Sequence, residues 1–142
     1  MSKVLVFADE EESRYAIVQA LRSMQYEPYE IESPSDLPAK SGYPAFACAV
    51  CELAAPHLRG FAVMSGVRAL SPYIPVVCLV TPGLASAGGV LERARRYGNV
   101  IILQKPFDLD VLAETFRRVE RSSDVRPRQP VTVGGDHSLL VR

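Results

Sequence analysis

The sequence predicts an α/β domain in which helices cover both faces of a five-stranded parallel sheet. Five short apolar runs of strand length recur between residues 4 and 103. Helical or turn-rich segments separate consecutive runs, which is the order that parallel strands require. The runs are apolar at nearly every position, as expected for strands buried on both faces. The pattern stops beyond Arg121, so the domain is predicted to span residues 1–121 and to be followed by a linker or tail at 122–142.

The first half of the chain predicts two strands and one long helix. Residues 4–8 form a continuous apolar strand, and residues 9–24 carry apolar side chains at helical spacing with three glutamates in the first turn. Acidic groups are favoured there by the helix dipole. Residues 29–31 predict a weak second strand. Three prolines and a glycine between residues 33 and 44 leave room for a helix of at most one or two turns.

The second half alternates strand and helix more regularly. Strands are predicted at residues 45–51, 75–80 and 100–103, and helices at 61–70, 84–97 and 108–120. Asp108 is a plausible N-cap for the last helix. Gly88 and Gly89 interrupt the helix at 84–97, where each glycine costs about 1 kcal/mol relative to alanine. This helix is therefore the least favourable of the three.

The tail has a different composition. Residues 122–130 hold two prolines and no apolar stripe, a pattern that predicts a linker. Residues 131–141 carry two apolar patches around Gly134 and Gly135. That pattern allows a small hairpin, a docking peptide or a disordered end. The tail is too short to form a DNA-binding effector domain.

Composition excludes several classes of function. Sixteen basic and sixteen acidic side chains give a formal net charge of zero, so no long-range electrostatic attraction to nucleic acid is expected. No apolar run approaches the roughly 18 residues that cross a bilayer, and the start of the sequence lacks the layout of a signal peptide. An odd number of cysteines, three, does not suggest a disulfide framework. A cytoplasmic protein without a membrane segment is expected.

Cys48 and Cys51 have the C-x-x-C spacing of some redox and metal sites. Both fall in a predicted strand, where residues three apart point to opposite faces of the sheet. No second cysteine pair or histidine cluster completes a zinc site. Buried apolar cysteines are the preferred interpretation.

Charged residues follow three of the predicted strands. Asp9 and Glu10 come after the first, Glu52 after the third and Lys105 after the fifth. Ligands of open parallel sheets bind at the carboxyl ends of the strands, so these side chains are expected to converge. Acids and a lysine at one place suit phosphate chemistry, which needs a nucleophile, a divalent cation and a fixed positive charge.

This arrangement resembles the active site of response-regulator receiver domains of two-component signalling. The resemblance covers residues 3–121 and is densest at 52–60, where Pro56 and Gly60 keep the family's offsets from the phosphoryl acceptor. Residues 75–77 and the run 105–107, Lys-Pro-Phe, also fit. The resemblance implies a flavodoxin-like (βα)5 fold. It also implies that Glu52 stands at the acceptor position and that Lys105 is the phosphate-contacting lysine.

Glu52 is the main departure, because family members carry an aspartate there. One more methylene extends the carboxylate by roughly 1.5 Å, whereas a displacement of about 1 Å is enough to impair catalysis. The longer arm also places a negative charge near where a phosphoryl group would lie. A direct ion pair between Glu52 and Lys105 is the simplest expected ground state. Glu52 could also be a relic with no signalling value.

Four further positions bear on the resemblance. Receiver domains carry a pair of acids after the first strand. Ala8 stands in place of one of them, and Asp9 matches the acid that touches the metal. Mg²⁺ at Asp9 and Glu52 is therefore a weak expectation, and Asp9 could instead only cap the first helix. Receiver domains carry a Ser or Thr, whose hydroxyl acts as a switch, at the end of the fourth strand. Here Val80 occupies that position and Thr81, the candidate equivalent, comes one residue later. A slip of one residue turns a strand side chain to the other face, although the end of the strand leaves Thr81 room to rotate inward.

The leading hypothesis is a stand-alone receiver-like signalling module that is not an enzyme, is not controlled by phosphorylation and acts through protein contacts. A histidine kinase or a downstream effector is the expected partner. The family's output face, formed by the fourth helix, fifth strand and fifth helix, would carry Arg95, Arg96, Tyr97 and Arg117. This basic strip is either a solvated face or a docking site for an acidic partner or a second copy of the chain.

Two alternatives remain open. One is a working receiver that accepts phosphate with Mg²⁺ at Asp9 and Glu52. The other is a flavodoxin-like binder of a small molecule, although no glycine-rich phosphate loop follows the first strand and three glutamates stand there instead.

Overall fold

The computed structural model describes residues 2–39, 46–85, 88–106, 108–121, 131–133 and 139–140. Its strands are β1 (Lys3–Phe7), β2 (Glu27–Ile31), β3 (Phe46–Leu53), β4 (Val76–Val80), β5 (Val100–Gln104), β6 (Val131–Val133) and β7 (Leu139–Leu140). Its helices are α1 (Glu11–Ser23), α2 (Gly60–Leu70), α3 (Pro82–Ala85), α4 (Val90–Arg95) and α5 (Leu109–Arg121), with a 3₁₀ turn at Pro34–Asp36. None of the described helices is both long and apolar enough to cross a membrane.

All the described strands belong to one sheet, in the order β2-β1-β3-β4-β5-β6-β7. Strands β1 to β5 pair in parallel, with Leu5 opposite both Tyr29 of β2 and Ala49 of β3. The predicted five-stranded parallel core is therefore confirmed. Because parallel strands share one direction, the carboxyl ends of β1, β3, β4 and β5 lie at the same edge of the sheet.

Two apolar layers bury this sheet. On one face the strands pack on α2, α3 and α4, and on the other they pack on α1 and α5. Alternation along β3 divides its side chains between the layers, so that Cys51 lies in the first and Cys48 in the second. The two cysteines are fully buried and unpaired. The predicted separation of the C-x-x-C pair is confirmed.

The predicted helix at residues 84–97 is wrong as a single helix. The structure has α3 before Ser86 and Ala87, two residues outside the described part of the chain, and α4 after Gly89. Gly89 has a φ of +84°, in the left-handed region that an α-helix does not use and that glycine tolerates best. The glycine pair therefore breaks the helix instead of only weakening it.

The sheet continues past Arg121 with two short strands. Strand β6 pairs in parallel with β5, placing Val131 opposite Ile101, and β7 pairs antiparallel with β6. The antiparallel pair agrees with the hairpin alternative for the tail. Residues 122–130 and 134–138 lie outside the described residues, and the division of the chain at residue 121 stays a prediction.

Candidate functional site

Glu52 lies at the centre of the carboxyl edge and is completely buried. It is the penultimate residue of β3. Its neighbours Cys51 and Leu53 face the layer of α2 and α4, so alternation along the strand turns Glu52 toward α1 and α5. A carboxylate buried to this degree must be compensated by a nearby positive charge and by hydrogen bonds.

Lys105 provides that positive charge. It follows β5, and its Nζ forms an ion pair with Oε2 of Glu52. The same Nζ donates to Oγ of Ser13 at 2.9 Å and lies 3.9 Å from Oε1 of Glu10. The backbone N–H of Glu10 donates to Oε1 of Glu52 at 3.4 Å. The expected ion pair is present, and it joins β3, α1 and the turn after β5.

Asp9 has a different cationic partner, which the sequence did not predict. Nη1 of Arg59 donates to Oδ1 of Asp9 at 2.8 Å. Nη2 of Arg59 donates to the carbonyl oxygen of Glu32 at 2.8 Å, and the guanidinium lies 5.5 Å from the centroid of the Phe7 ring. Asp9 does not cap α1, because the N-cap residue is Glu10 and no side chain makes a capping bond there.

These contacts bear on the predicted metal site. Each oxygen of Glu52 already accepts a hydrogen bond, one oxygen of Asp9 accepts from Arg59, and Ala8 offers no ligand in the family's second acidic position. Mg²⁺ needs oxygen ligands in a near-octahedral shell. Among the described residues, no group of three or more histidines, cysteines or acids is arranged around a cation site. The donors as they stand do not fit Mg²⁺, and its binding at Asp9 and Glu52 stays a prediction.

The switch position also differs from the family pattern. Val80 ends β4 with its side chain buried in the layer of α2 and α4. Thr81 is partly exposed, and its carbonyl oxygen accepts the N–H of Leu84 at the start of α3. Within the described part of the chain, the Thr81 hydroxyl takes no part in the network around Glu52. Phe107, which completes the Lys-Pro-Phe run, lies outside the described residues.

Among the predicted output residues, Tyr97 is held against α2, and the shared surface stays a prediction. The Tyr97 ring stacks on Phe61 of α2 with centroids 6.2 Å apart, and its hydroxyl accepts from Oγ of Ser65 at 3.2 Å. Tyr97 therefore faces α2. Arg96 and Arg117 are exposed, Arg95 is partly exposed, and Arg117 lies 3.4 Å from Glu114 on its own helix.

A cavity of about 490 Å³ adjoins the site between α1 and α5. Most of its lining is apolar and includes Ile17, Leu79 and Leu112, while Ser13 and Lys105 come from the charged network. Nothing in the sequence predicted this cavity, because its walls come from segments far apart in the chain. It is the feature that a small-molecule binder would use.

Comparison with known proteins identifies the fold. No model of a known protein family matches the sequence, and no curated protein matches it. Among solved structures, a chemotaxis protein of Vibrio cholerae superposes with a TM-score of 0.70 at 24% identity, over 84% of this chain and 98% of that one. The receiver domain of a sensor histidine kinase from Pseudomonas aeruginosa, solved with a magnesium ion in its active-site cleft, gives 0.70 at 21%, over 85% and 98%.

A CheY-like receiver domain protein from Methanospirillum hungatei gives a TM-score of 0.72 at 18% identity, over 87% of this chain and 97% of that one. At identities this low the likeness establishes the fold and nothing finer. The fold is that of response-regulator receiver domains, as the resemblance in the sequence implied.

Proposed function

We propose that this chain is a receiver-like signalling module of a two-component-type pathway that is not switched by phosphorylation and acts through protein contacts, without enzymatic activity. One observation carries the proposal. At the position where receiver domains carry the acceptor aspartate, this chain has a fully buried glutamate whose carboxylate is bound to Lys105. The group that would accept a phosphoryl and the lysine that would contact it are bound to each other.

The chemistry of phosphoryl transfer explains why this pairing matters. An acceptor carboxylate must present a free oxygen to the phosphorus, and a fixed cation must stabilise the phosphoryl oxygens. Here Oε2 of Glu52 is held by Lys105 and Oε1 by the Glu10 amide. An incoming phosphoryl group, with a charge of about −1.5 to −2, would have to displace the buried glutamate from its only strong cationic contact among the described residues. The ion pair therefore favours a single resting arrangement.

Protein partners are the expected readout of such a module. A histidine kinase or a downstream effector is proposed as the partner. The exposed Arg96 and Arg117 support a basic docking surface for an acidic partner, whereas Tyr97 is engaged with α2. Dimerisation through α4, β5 and α5 would have to accommodate β6, which already lies along β5. A cytoplasmic location belongs to the same proposal and is supported by the three unpaired cysteines.

The test is the intact mass of the protein after incubation with acetyl phosphate and Mg²⁺. We expect no phosphoryl adduct on the wild type or on the E52Q variant, which has a glutamine of nearly the same shape. A phosphoryl adduct present on the wild type and absent from E52Q would contradict the proposal. An adduct on both proteins that maps to Thr81 would contradict it as well.

A further inference from the structure

Arg59 stands where a divalent cation would be expected to balance Asp9. It is the residue directly before α2, at the carboxyl edge of the sheet. Its guanidinium makes one hydrogen bond to the Asp9 carboxylate and another to the backbone of Glu32, each 2.8 Å long. These two bonds join the loop after β1 to the end of β2 and to the start of α2.

The charges around the edge show what this contact does. Asp9, Glu10 and Glu52 are three acids at this edge of the sheet. Arg59 is bound to Asp9, and Lys105 is bound to Glu52 and lies near Glu10. Taken together, these three acids and two bases have a formal charge of −1; without Arg59 the sum would be −2. Without Arg59, the Asp9 carboxylate would lose this counter-ion, and Mg²⁺ is usually bound through one or two such carboxylates.

We propose that Arg59 is a built-in counter-ion that takes the place of a divalent cation at Asp9 and keeps the site from binding one. The inference deepens the proposed function and rests on it in one respect. A module that is not switched by phosphorylation does not need the divalent cation that phosphoryl transfer requires. The fork of a guanidinium suits this role because it bonds a carboxylate and a carbonyl at once and is always charged. The Phe7 ring beneath it further fixes its position.

The direct test is isothermal titration of Mg²⁺ into the wild type, R59Q, R59K and R93Q. Arg93 is the matched control, because it lines the same surface pocket as Arg59 but its guanidinium packs 4.0 Å from the Phe61 ring centroid instead of on Asp9. We expect R59Q to bind Mg²⁺ at least about tenfold more tightly than the wild type, a difference of about 1.4 kcal/mol. R93Q and R59K, which keeps the positive charge, should both bind as weakly as the wild type.

Equal Mg²⁺ affinity of R59Q and the wild type would overturn the inference, as would tight binding by the wild type itself. The thermal midpoint of the wild type provides a measurement that does not depend on a variant folding. It should not rise with added Mg²⁺, and a rise that follows the Mg²⁺ concentration would also overturn the inference.

The two proposals fail separately. If R59Q gains no affinity for Mg²⁺ and the wild type still takes no phosphoryl group, only the role of Arg59 is wrong. If the wild type becomes phosphorylated on Glu52, the proposed function is wrong, whatever the Mg²⁺ affinity of R59Q.

Discussion

At the scale of single residues, the exchange of aspartate for glutamate places the carboxylate within direct reach of Lys105. The Glu52 side chain has no solvent-exposed surface, whereas the Lys105 side chain is 23% exposed to solvent. A buried ion pair adds little net stability, but removing one partner leaves an uncompensated charge behind. Losing one of the two side chains should therefore destabilise the protein more than the intact pair stabilises it.

Replacing Lys105 by methionine should accordingly destabilise the protein. We expect a loss of about 2 kcal/mol in the free energy of unfolding, below the range of about 3–5 kcal/mol for fully buried pairs because Lys105 is partly hydrated. Urea unfolding measures this, and the E52Q/K105M double variant should recover more than half of the loss. A K105M protein as stable as the wild type would show that Glu52 is compensated by other groups.

The sequence identified Glu52, Lys105 and Asp9 because each follows an apolar run, and parallel strands bring such positions together. It did not identify Arg59. A single side chain in a loop has no periodicity, and the direction of Arg59 depends on the carbonyl of Glu32, just after β2, which no spacing rule brings near. The one available signal was its position directly before Gly60, at the start of the helix that follows β3.

At the scale of elements, the start of α2 is fixed by its close approach to β3. A Cβ added at Gly60 would lie 2.4 Å from the carbonyl oxygen of Glu52 and 2.8 Å from Cδ2 of Leu53. Because a backbone oxygen cannot rotate away, the helix itself would have to move. Arg59 immediately precedes this point, so the packing of α2 and the geometry of the site are coupled.

Gly60→Ala should therefore destabilise the protein by about 1–3 kcal/mol, the usual range for overpacking a close contact. Gly83→Ala is the matched control, since a Cβ there meets nothing within 4 Å. It should leave the midpoint of thermal unfolding nearly unchanged or raise it slightly. Similar destabilisation of both variants would indicate that the contact of Gly60 with β3 is not the cause.

Most strands and helices of the core were predictable, and the exception was the helix at 84–97. Strands β1, β3, β4 and β5 lie within two residues of the apolar runs that predicted them, because burial on both faces leaves no polar position to confuse the pattern. The prediction of one helix at 84–97 was wrong because the helix propensity of two glycines gives the loss of helix stability but not whether the helix weakens or ends there. The pairing of β6 with β5 could not be predicted, since a three-residue strand carries almost no periodic signal.

The buried cysteines of β3 and β4 predict a loss of stability at alkaline pH. Burial raises the pKa of Cys48 and of Cys78 from 9.0 to about 12, and it also raises the pKa of Cys51. Above pH 9 these thiols ionise in the unfolded chain while they stay protonated in the folded one. The contribution of the protonated thiols to the free energy of unfolding is therefore complete below pH 9 and is lost as the pH rises toward 12.

The difference between the wild type and a C48A/C78A variant isolates this effect from other groups. Between pH 9 and 11 the free energy of unfolding of the wild type should fall more steeply, by about 1.4 kcal/mol per pH unit for each of the two thiols. Urea unfolding at several pH values measures both slopes. Parallel slopes would show that these thiols do not differ between the folded and unfolded states.

At the scale of the whole molecule, the sheet is larger than the receiver-like core that the sequence outlined. Strand β6 covers the edge of β5 over Ile101 to Leu103, and β7 follows it. The opposite edge of the sheet is β2. The two edges are therefore formed by unlike parts of the chain, one within the core and one from the tail.

A chain ending at residue 121 should expose the β5 edge. We expect the outward-facing amides of β5 between Ile101 and Leu103 to exchange with solvent at least about tenfold faster than in the full chain, because their partners on β6 are gone. Hydrogen exchange measured by mass spectrometry reports this by segment. The amides of β2 are the internal control and should not change, and unchanged exchange in β5 would mean that β6 does not pair there in solution.

The short outer strands have a consequence for how molecules of this protein meet in a crowded solution. An exposed five-residue strand offers a row of unpaired amides and carbonyls on which another chain can build a continuous sheet. With β6 and β7 in place, the row on that side ends in a strand of two residues. So short an edge is a poor template, and the tail thereby protects this side of the sheet against edge-to-edge aggregation and strand exchange.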